Sequence, residues 1–178
     1  MGKDARGFML LSIHPTHAAD ILSGRKTVEL RRARPSITPG QLVLLYASSP
    51  VCAVVGACRV DSLETGALAT IKRKYLRSAA IPGRAFETYY LGAAAATALL
   101  LDCATALPNP VPLSTLRESP ATTPTQSWRF VSKESFVPLL READRRALDI
   151  LAERGSNGPG EHDEDSHKGT ARTGSRRP

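Results

Sequence analysis

The sequence predicts an α+β fold: a small mixed β-barrel with flanking helices, plus a C-terminal helix. Three observations predict it. Five or six short apolar or alternating stretches punctuate the chain, and helical patterns fall between them. No glycine-rich phosphate loop of the kind that opens doubly wound parallel sheets is present. The 178 residues are 42% hydrophobic and 23% charged, an ordinary globular mix long enough to bury a core without disulfides or metals. The expected organisation is an N-terminal arm (1–7), one domain with its final helix (8–153) and a tail (154–178).

The elements follow in order. Phe8 to Ile13 is a short apolar run and reads as a buried strand. Pro15 and Thr16 open a helix, with Thr16 as its cap; Ala18, Ile21 and Leu22 share one face and Gly24 ends it. Thr27 to Arg32 alternates, so Val28 and Leu30 point one way while Thr27, Glu29 and Arg31 point the other. After a turn-rich link from Pro35 to Gly40, Gln41 to Ala47 reads as a strand. Val51 to Leu63 is another, with Cys52, Val54, Gly56 and Cys58 on one face. Glu64 to Arg77 and Gly83 to Leu91 read as helices, Ala95 to Ala106 as a strand, and Pro110 to Pro124 as a loop. Ser127 to Val131 is a short strand with Trp128 and Phe130 on one face. Ser135 caps a last helix from Phe136 to about Arg154, striped by Leu139, Leu140, Ala143, Ala147, Ile150 and Leu151. From Gly155 onward no aliphatic residue exceeds alanine in size, a composition that predicts disorder.

Charge narrows the partners. The net charge is +7, which favours polyanions, nucleic acid above all. Two segments hold it: Arg25, Lys26, Arg31, Arg32 and Arg34 around Glu29, and Lys72, Arg73, Lys74 and Arg77 with no acid between them. The plainer alternative is a solvated face. No apolar run reaches the roughly 20 residues of a membrane helix, and no secretory leader pattern opens the chain. Three cysteines without a C-x-x-C pair suit a reducing, cytoplasmic setting and no disulfide framework. The H-x-x-H of His14 and His17 lacks a third ligand, and His162 and His167 read as a solvated tract. No metal and no cofactor are expected.

The segment with the most chemistry is Gly24-Arg25-Lys26-Thr27-Val28-Glu29-Leu30-Arg31-Arg32. Glu29 and Arg31 lie about 7 Å apart on one strand face. The carboxylate can accept from a ligand amine, and Lys26 and Arg31 can bind phosphate. A surface strand with cross-strand ion pairs is the alternative.

This segment, with Ser12-Ile13-His14-Pro15, the helix ending Ile21-Leu22-Ser23-Gly24, the Gly40-to-Ala47 strand and Val54-Val55-Gly56, resembles the ASCH domain of the PUA-like superfamily. Tyr89-Tyr90-Leu91-Gly92, Pro112 to Arg117 and Gln126 to Phe130 resemble its later segments, so the likeness covers residues 8–131. The resemblance implies a β-barrel with helices beside it and a cleft holding Lys26. It implies RNA binding, with hydrolysis of acetylated cytidine in some bacterial members and RNA cleavage in at least one relative. In the amidohydrolase members a lysine matches Lys26, but a threonine nucleophile falls where this chain has Glu29. A carboxylate does not replace that hydroxyl. Those members also use a catalytic glutamate, for which Glu64 and Glu87 both fit here. In the RNA-cleaving version Lys26 stabilises phosphate and Glu29 is the base. Arg25, Thr27, Arg31, Tyr46, Ser127 and Arg129 are candidate ligand contacts, and Arg32, Arg34, Lys72, Arg73, Lys74 and Arg77 candidate nucleic-acid contacts.

The leading expectation is an RNA- or nucleotide-binding protein. The alternatives are a metal-independent ribonuclease or modified-nucleoside hydrolase using the same cleft, and an adaptor whose basic face meets an acidic protein.

Overall fold

A computed structural model describes residues 7–154. Apart from Gly7 and Arg154, the N-terminal arm and the tail, His162 and His167 included, lie outside the described residues. The elements are β1 (Phe8–Ile13), α1 (Pro15–Leu22), β2 (Val28–Arg31), β3 (Leu42–Ala47), β4 (Ala53–Ala67), α2 (Leu68–Tyr75), α3 (Gly83–Tyr89), β5 (Ala95–Pro112), α4 (Leu113–Leu116), β6 (Trp128–Val131), α5 (Lys133–Phe136) and α6 (Glu142–Glu153). The six strands form one mixed sheet in the order β2-β5-β4-β3-β1-β6, antiparallel throughout except for the parallel β1–β3 pair. Among the described residues the sheet has two free edges, β2 and β6, so they do not close a barrel by backbone pairing.

Four expectations change in detail. The first helix begins at Pro15, and the His14 side chain caps it by accepting from the Thr16 amide, so Thr16 is inside the helix. Proline at the first position gives up only an amide that would have no partner there. The strand read as ending near Leu63 runs to Ala67, because Glu64, Thr65, Gly66 and Ala67 pair with Ala98, Thr97, Ala96 and Ala95. Cross-strand pairing overrides a helical reading weakened by Gly66 and Thr65. β5 continues through Pro108 and Pro110 to Pro112. Leu107 to Pro110 have no ladder partner in β4, and such an irregularity is where strand prolines are tolerated. At the C-terminal end Ser132, not Ser135, caps α5. Pro138 then lies in a separate 3-10 turn (Val137–Leu139), and α6 starts afresh at Glu142.

The bulges also move residues between faces. Register shifts at Val54/Gly56 and Ala57/Arg59 put Val54 in one core and Cys58 in another, so the single face expected for the even positions does not persist. Gly56 is required by packing: a Cβ there would lie 2.6 Å from both Leu22 and the Thr105 carbonyl. That close approach seats α1 against β4.

Three apolar clusters result. Met9, Leu11, Val43, Leu45, Cys58, Leu99 and Leu101 meet Ala18 and Ile21 of α1 inside the curl of the sheet. Phe8, Leu10, Leu44, Tyr46 and Val131 pack beneath α4, α5 and α6 on the other face. Of the stripe expected for the final helix, Leu140 and Leu151 are buried while Ile150 is 51% exposed, and Leu148, outside that stripe, is buried in its place. The helix is pinned by buried Asp144, which accepts from the Asn109 amide (2.8 Å) and Nδ2 (3.3 Å). The third cluster joins Val28 and Leu30 to Ile71 and Tyr75 of α2 and to Phe86 and Tyr90 of α3 and its C-terminal cap. Cys52, Cys58 and Cys103 are all free thiols.

Candidate functional site

The chain from Gly24 to Arg31 builds the site. Gly24, at φ +76°, turns the chain out of α1. The Lys26 amide donates to the Asp20 carbonyl (2.9 Å), and the Thr27 and Val28 amides both donate to the Ser78 carbonyl. These bonds fix where β2 begins. Alternation does the rest. Val28 and Leu30 enter the α2–α3 cluster, and Glu29 and Arg31 point to the opposite side.

Lys26, Glu29 and Arg31 form a buried ionic triad, 2%, 7% and 9% exposed. The Lys26 ammonium lies 3.2 Å from Glu29 Oε2 and donates to the Ala79 carbonyl at 2.7 Å. The other Glu29 oxygen, Oε1, takes an Arg31 guanidinium nitrogen at 3.0 Å. That same nitrogen donates to the Ser12 carbonyl at 3.2 Å. The last bond carries architecture: Arg31 ends the edge strand β2, and Ser12 lies in β1, near the opposite edge. A side chain therefore bridges the seam that the backbone leaves open.

Two polar atoms at this seam have no partner among the described residues. Arg31 Nε is buried and unbonded, and so is His17 Nδ1 on α1. Leaving such a donor or acceptor unsatisfied costs about 1–3 kcal/mol. Burial, and then the Lys26 charge, hold the His17 imidazole below its ordinary value, with Glu29 and Asp20 opposing. His17 is neutral at pH 7 and able to accept a proton.

Ser12 connects the triad to a second polar group. Its amide donates to the Ser127 carbonyl (2.8 Å), its hydroxyl donates to the Thr125 carbonyl, and it is the register partner of Tyr46 in the parallel β1–β3 pair. Tyr46 is 7% exposed and packs with the α4–α6 cluster, on the other side of the sheet from Glu29's apolar neighbours. Burial and the adjacent Cys52 thiol raise its phenol, which therefore stays protonated throughout the neutral range. Ser127 is exposed beside β6.

The other sequence candidates separate. Thr27 is exposed and lies before β2, so it does not share the face of Glu29 and Arg31 as the alternation predicted; the strand is shorter than its pattern. Arg25 turns outward and pairs with Asp20, its side chain 68% exposed. Arg129 is held by the Pro120 (2.8 Å) and Thr123 (3.0 Å) carbonyls, clamping the loop ahead of β6. Arg32 donates to the Tyr89 and Leu91 carbonyls and Arg34 to the Thr65 hydroxyl. Lys72 pairs with Glu87 and Lys74 with Glu64, while Arg73 and Arg77 are exposed. Ser12 and His17 are the residues that sequence reasoning did not place. His17 was visible only as part of H-x-x-H, and Ser12 only inside a motif. Among the described residues no three His, Cys, Asp or Glu side chains gather as metal ligands, and no helix is long and apolar enough to cross a membrane.

The ASCH domain family matches residues 11–97. An ASCH domain-containing ribonuclease of Zymomonas mobilis is 32% identical over 132 residues, 74% of this chain and 88% of that protein. This chain belongs to the ASCH family. A crystal structure of ASCH from Zymomonas mobilis superposes with a TM-score of 0.67 at 30% identity, covering 82% of this chain and 96% of that one. Tyrosine-to-phenylalanine and serine-to-alanine variants of the Zymomonas protein match as well, each with a TM-score of 0.67 at 29% identity and over 98% or more of its length. The superposition with that structure accounts for the mixed sheet and its flanking helices.

Proposed function

We propose that this ASCH protein binds RNA and cleaves its phosphodiester backbone at the seam beside Ser12. The observation that carries the reading is the buried Arg31 guanidinium, whose Nε–H is unused and whose partner Glu29 also acts on the neutral His17 imidazole. A fixed guanidinium with a spare donor is suited to a phosphate oxygen. The similarity to a ribonuclease over most of that protein's length supports RNA as the substrate class. In the Zymomonas protein's own count, each residue altered in the two solved variants stands one place further along than Tyr46 and Ser127 do here.

Cleavage by the RNA's own 2′-hydroxyl needs a base, an acid and a cation. In this reading His17 takes the 2′-hydroxyl proton and the resulting oxygen attacks phosphorus. Arg31 stabilises the charge on the non-bridging oxygens. The bond to the 5′-oxygen breaks, and that oxygen receives a proton from water, with Tyr46 and Ser127 positioning Ser12, their neighbour in the sheet. The product ends are a 2′,3′-cyclic phosphate and a 5′-hydroxyl. Lys26 and Glu29 act as positioning residues: both Glu29 oxygens are taken by cations, and the Lys26 ammonium is taken by Ala79 and Glu29. The acetylcytidine-hydrolase alternative finds no hydroxyl nucleophile in the triad.

The test is end-labelled RNA incubated with wild type, Tyr46→Phe and Ser127→Ala, read on native and denaturing gels. Shortened RNA ending in cyclic phosphate with wild type, and at least tenfold less with either variant, is the expected result. Intact but shifted RNA makes the protein a binding module. Equal cleavage by all three chains removes Tyr46 and Ser127 from the site.

A further inference from the structure

Away from the seam, the surface of α2 and α3 carries two adjoining concavities. One is a groove of about 900 Å³ lined by Lys72, Arg73, Leu76, Arg77, Ala80 and Ile81, among others. The other, about 330 Å³, lies among Leu68, Phe86, Tyr90, Leu91 and Ala93. Ala69 and Lys72 line both, so the two adjoin. We propose that this surface is a second contact for single-stranded RNA: phosphates follow Arg73 and Arg77, and one base enters the smaller pocket against Phe86 and Tyr90. The inference rests on the RNA reading above and adds a separate site to it.

Charge is the first support. Arg73 and Arg77 are exposed and make no hydrogen bond or ion pair with any described residue, whereas Lys72 shares its charge with Glu87 at 2.6 Å. The groove thus offers two uncommitted guanidinium groups to a polyanion. The pocket is the second support. Tyr90 is 2% exposed, its ring lies 4.6 Å from that of Phe86, and its hydroxyl is buried without a partner. A ring wall suits the face of a base. A volume near the small end of ligand pockets, about 300 Å³, excludes a protein helix. The third support is rigidity. The groove's wall at Ala80 and Ile81 continues from Ser78 and Ala79, whose carbonyls are held by Thr27, Val28 and Lys26. Ala80 itself sits at φ +50°, a conformation retained only where the surroundings enforce it. An acidic peptide would satisfy the arginines but would leave the aromatic pocket unexplained.

The test is fluorescence anisotropy with a labelled twelve-nucleotide 2′-O-methyl RNA, which has no free 2′-hydroxyl for self-cleavage. Wild type is expected to bind. Arg73→Ala/Arg77→Ala should bind about tenfold more weakly, with the slope of log affinity against log salt shallower by about 1.4, two phosphates' worth for a single strand. Ala69→Trp, an exposed change at the junction of the two concavities, should weaken binding without altering that slope. Arg146→Ala on α6 is the control and should change nothing. No binding by wild type, or unchanged affinity and slope in the double variant, overturns the site. Equal, variant-sensitive binding of polyglutamate overturns it in favour of an acidic protein. Dinucleotide cleavage by wild type is measured in parallel. If that fails while the binding results hold, the catalytic reading falls and this site stands.

Discussion

Two clusters of basic residues look alike in the sequence and differ in physics. Lys26 and Arg31 are buried, share one carboxylate and are held to backbone carbonyls. Lys72, Arg73, Lys74 and Arg77 ride on or just beyond a short helix, with only Ile71 and Tyr75 of α2 buried. A charge removed from water is costly until it is paired and hydrogen-bonded, and losing one partner then costs more than the pair ever contributed. A charge left in water is worth little to stability and is free to meet a ligand. Folding therefore depends on the first cluster, and long-range attraction of a polyanion on the second.

The largest effect is expected from Lys26→Met. It strips Glu29 of one cation and leaves the Ala79 carbonyl unbonded, and should destabilise the fold by about 3–5 kcal/mol. In a domain of this size that lowers Tm by roughly 10 °C. Glu29→Gln should fall in the same range, because Lys26 and Arg31 then face each other unscreened. The double variant should cost clearly less than the sum of the two, since the partners are in contact. Additive losses on calorimetry would break the contrast between the clusters. Next comes Arg31→Lys, which keeps the charge but loses the fork and the unused Nε–H. Its Tm should stay close to wild type while kcat/KM on RNA falls by about a hundredfold. Equal losses in both would make Arg31 a seam clasp and nothing more.

How far the sequence reached follows from the same contrast. β1, α1, β2 and β3 were readable because period-two and helical patterns, Pro15 and Gly24 act locally. Lys26, Glu29 and Arg31 were readable as a group because strand spacing places alternate residues together. That Arg31 crosses to Ser12 was not readable, since it depends on how far a six-stranded sheet curls. The side on which Tyr46 lies follows plain alternation, with Leu44 and Tyr46 in one cluster and Val43 and Leu45 in the other, and was open to the same local reading. The extensions of β4 and β5 were missed because each supplies the other's partner over the far half of the ladder. Arg25 and Thr27 sit within the motif yet outside the triad, because the ordered strand starts only at Val28.

A smaller effect sharpens the chemistry at the seam. The His17 imidazole titrates below its ordinary value of about 6.5 because burial and Lys26 disfavour its cation. The unfolded chain therefore takes up the proton first as pH drops. His17's contribution to stability is complete above about pH 6.5 and is lost as pH falls through the depressed folded value. The acid limb of kcat/KM should show an apparent pKa on the low side of 6.5, and His17→Gln should abolish that limb with a loss of about a hundredfold. A limb that persists unchanged in His17→Gln assigns the base elsewhere.

The smallest effect belongs to the exposed cluster. Lys74 and the Tyr75 hydroxyl both donate to Glu64, and these bonds hold the Glu64 carboxyl below the ordinary carboxylate value, Lys74 contributing most. The sign is opposite in origin to that of His17 but alike in direction. The benefit is present above the carboxylate's unfolded value, near 4.5, and fades as acid protonates it. Because both partners meet solvent, Lys74→Ala should leave Tm at pH 7 within error of wild type, and moderate salt should erase any remaining difference. A drop comparable to that of Lys26→Met would mean that α2 is held to the sheet by its charges. Its surface would then be part of the scaffold, not free to follow an RNA strand.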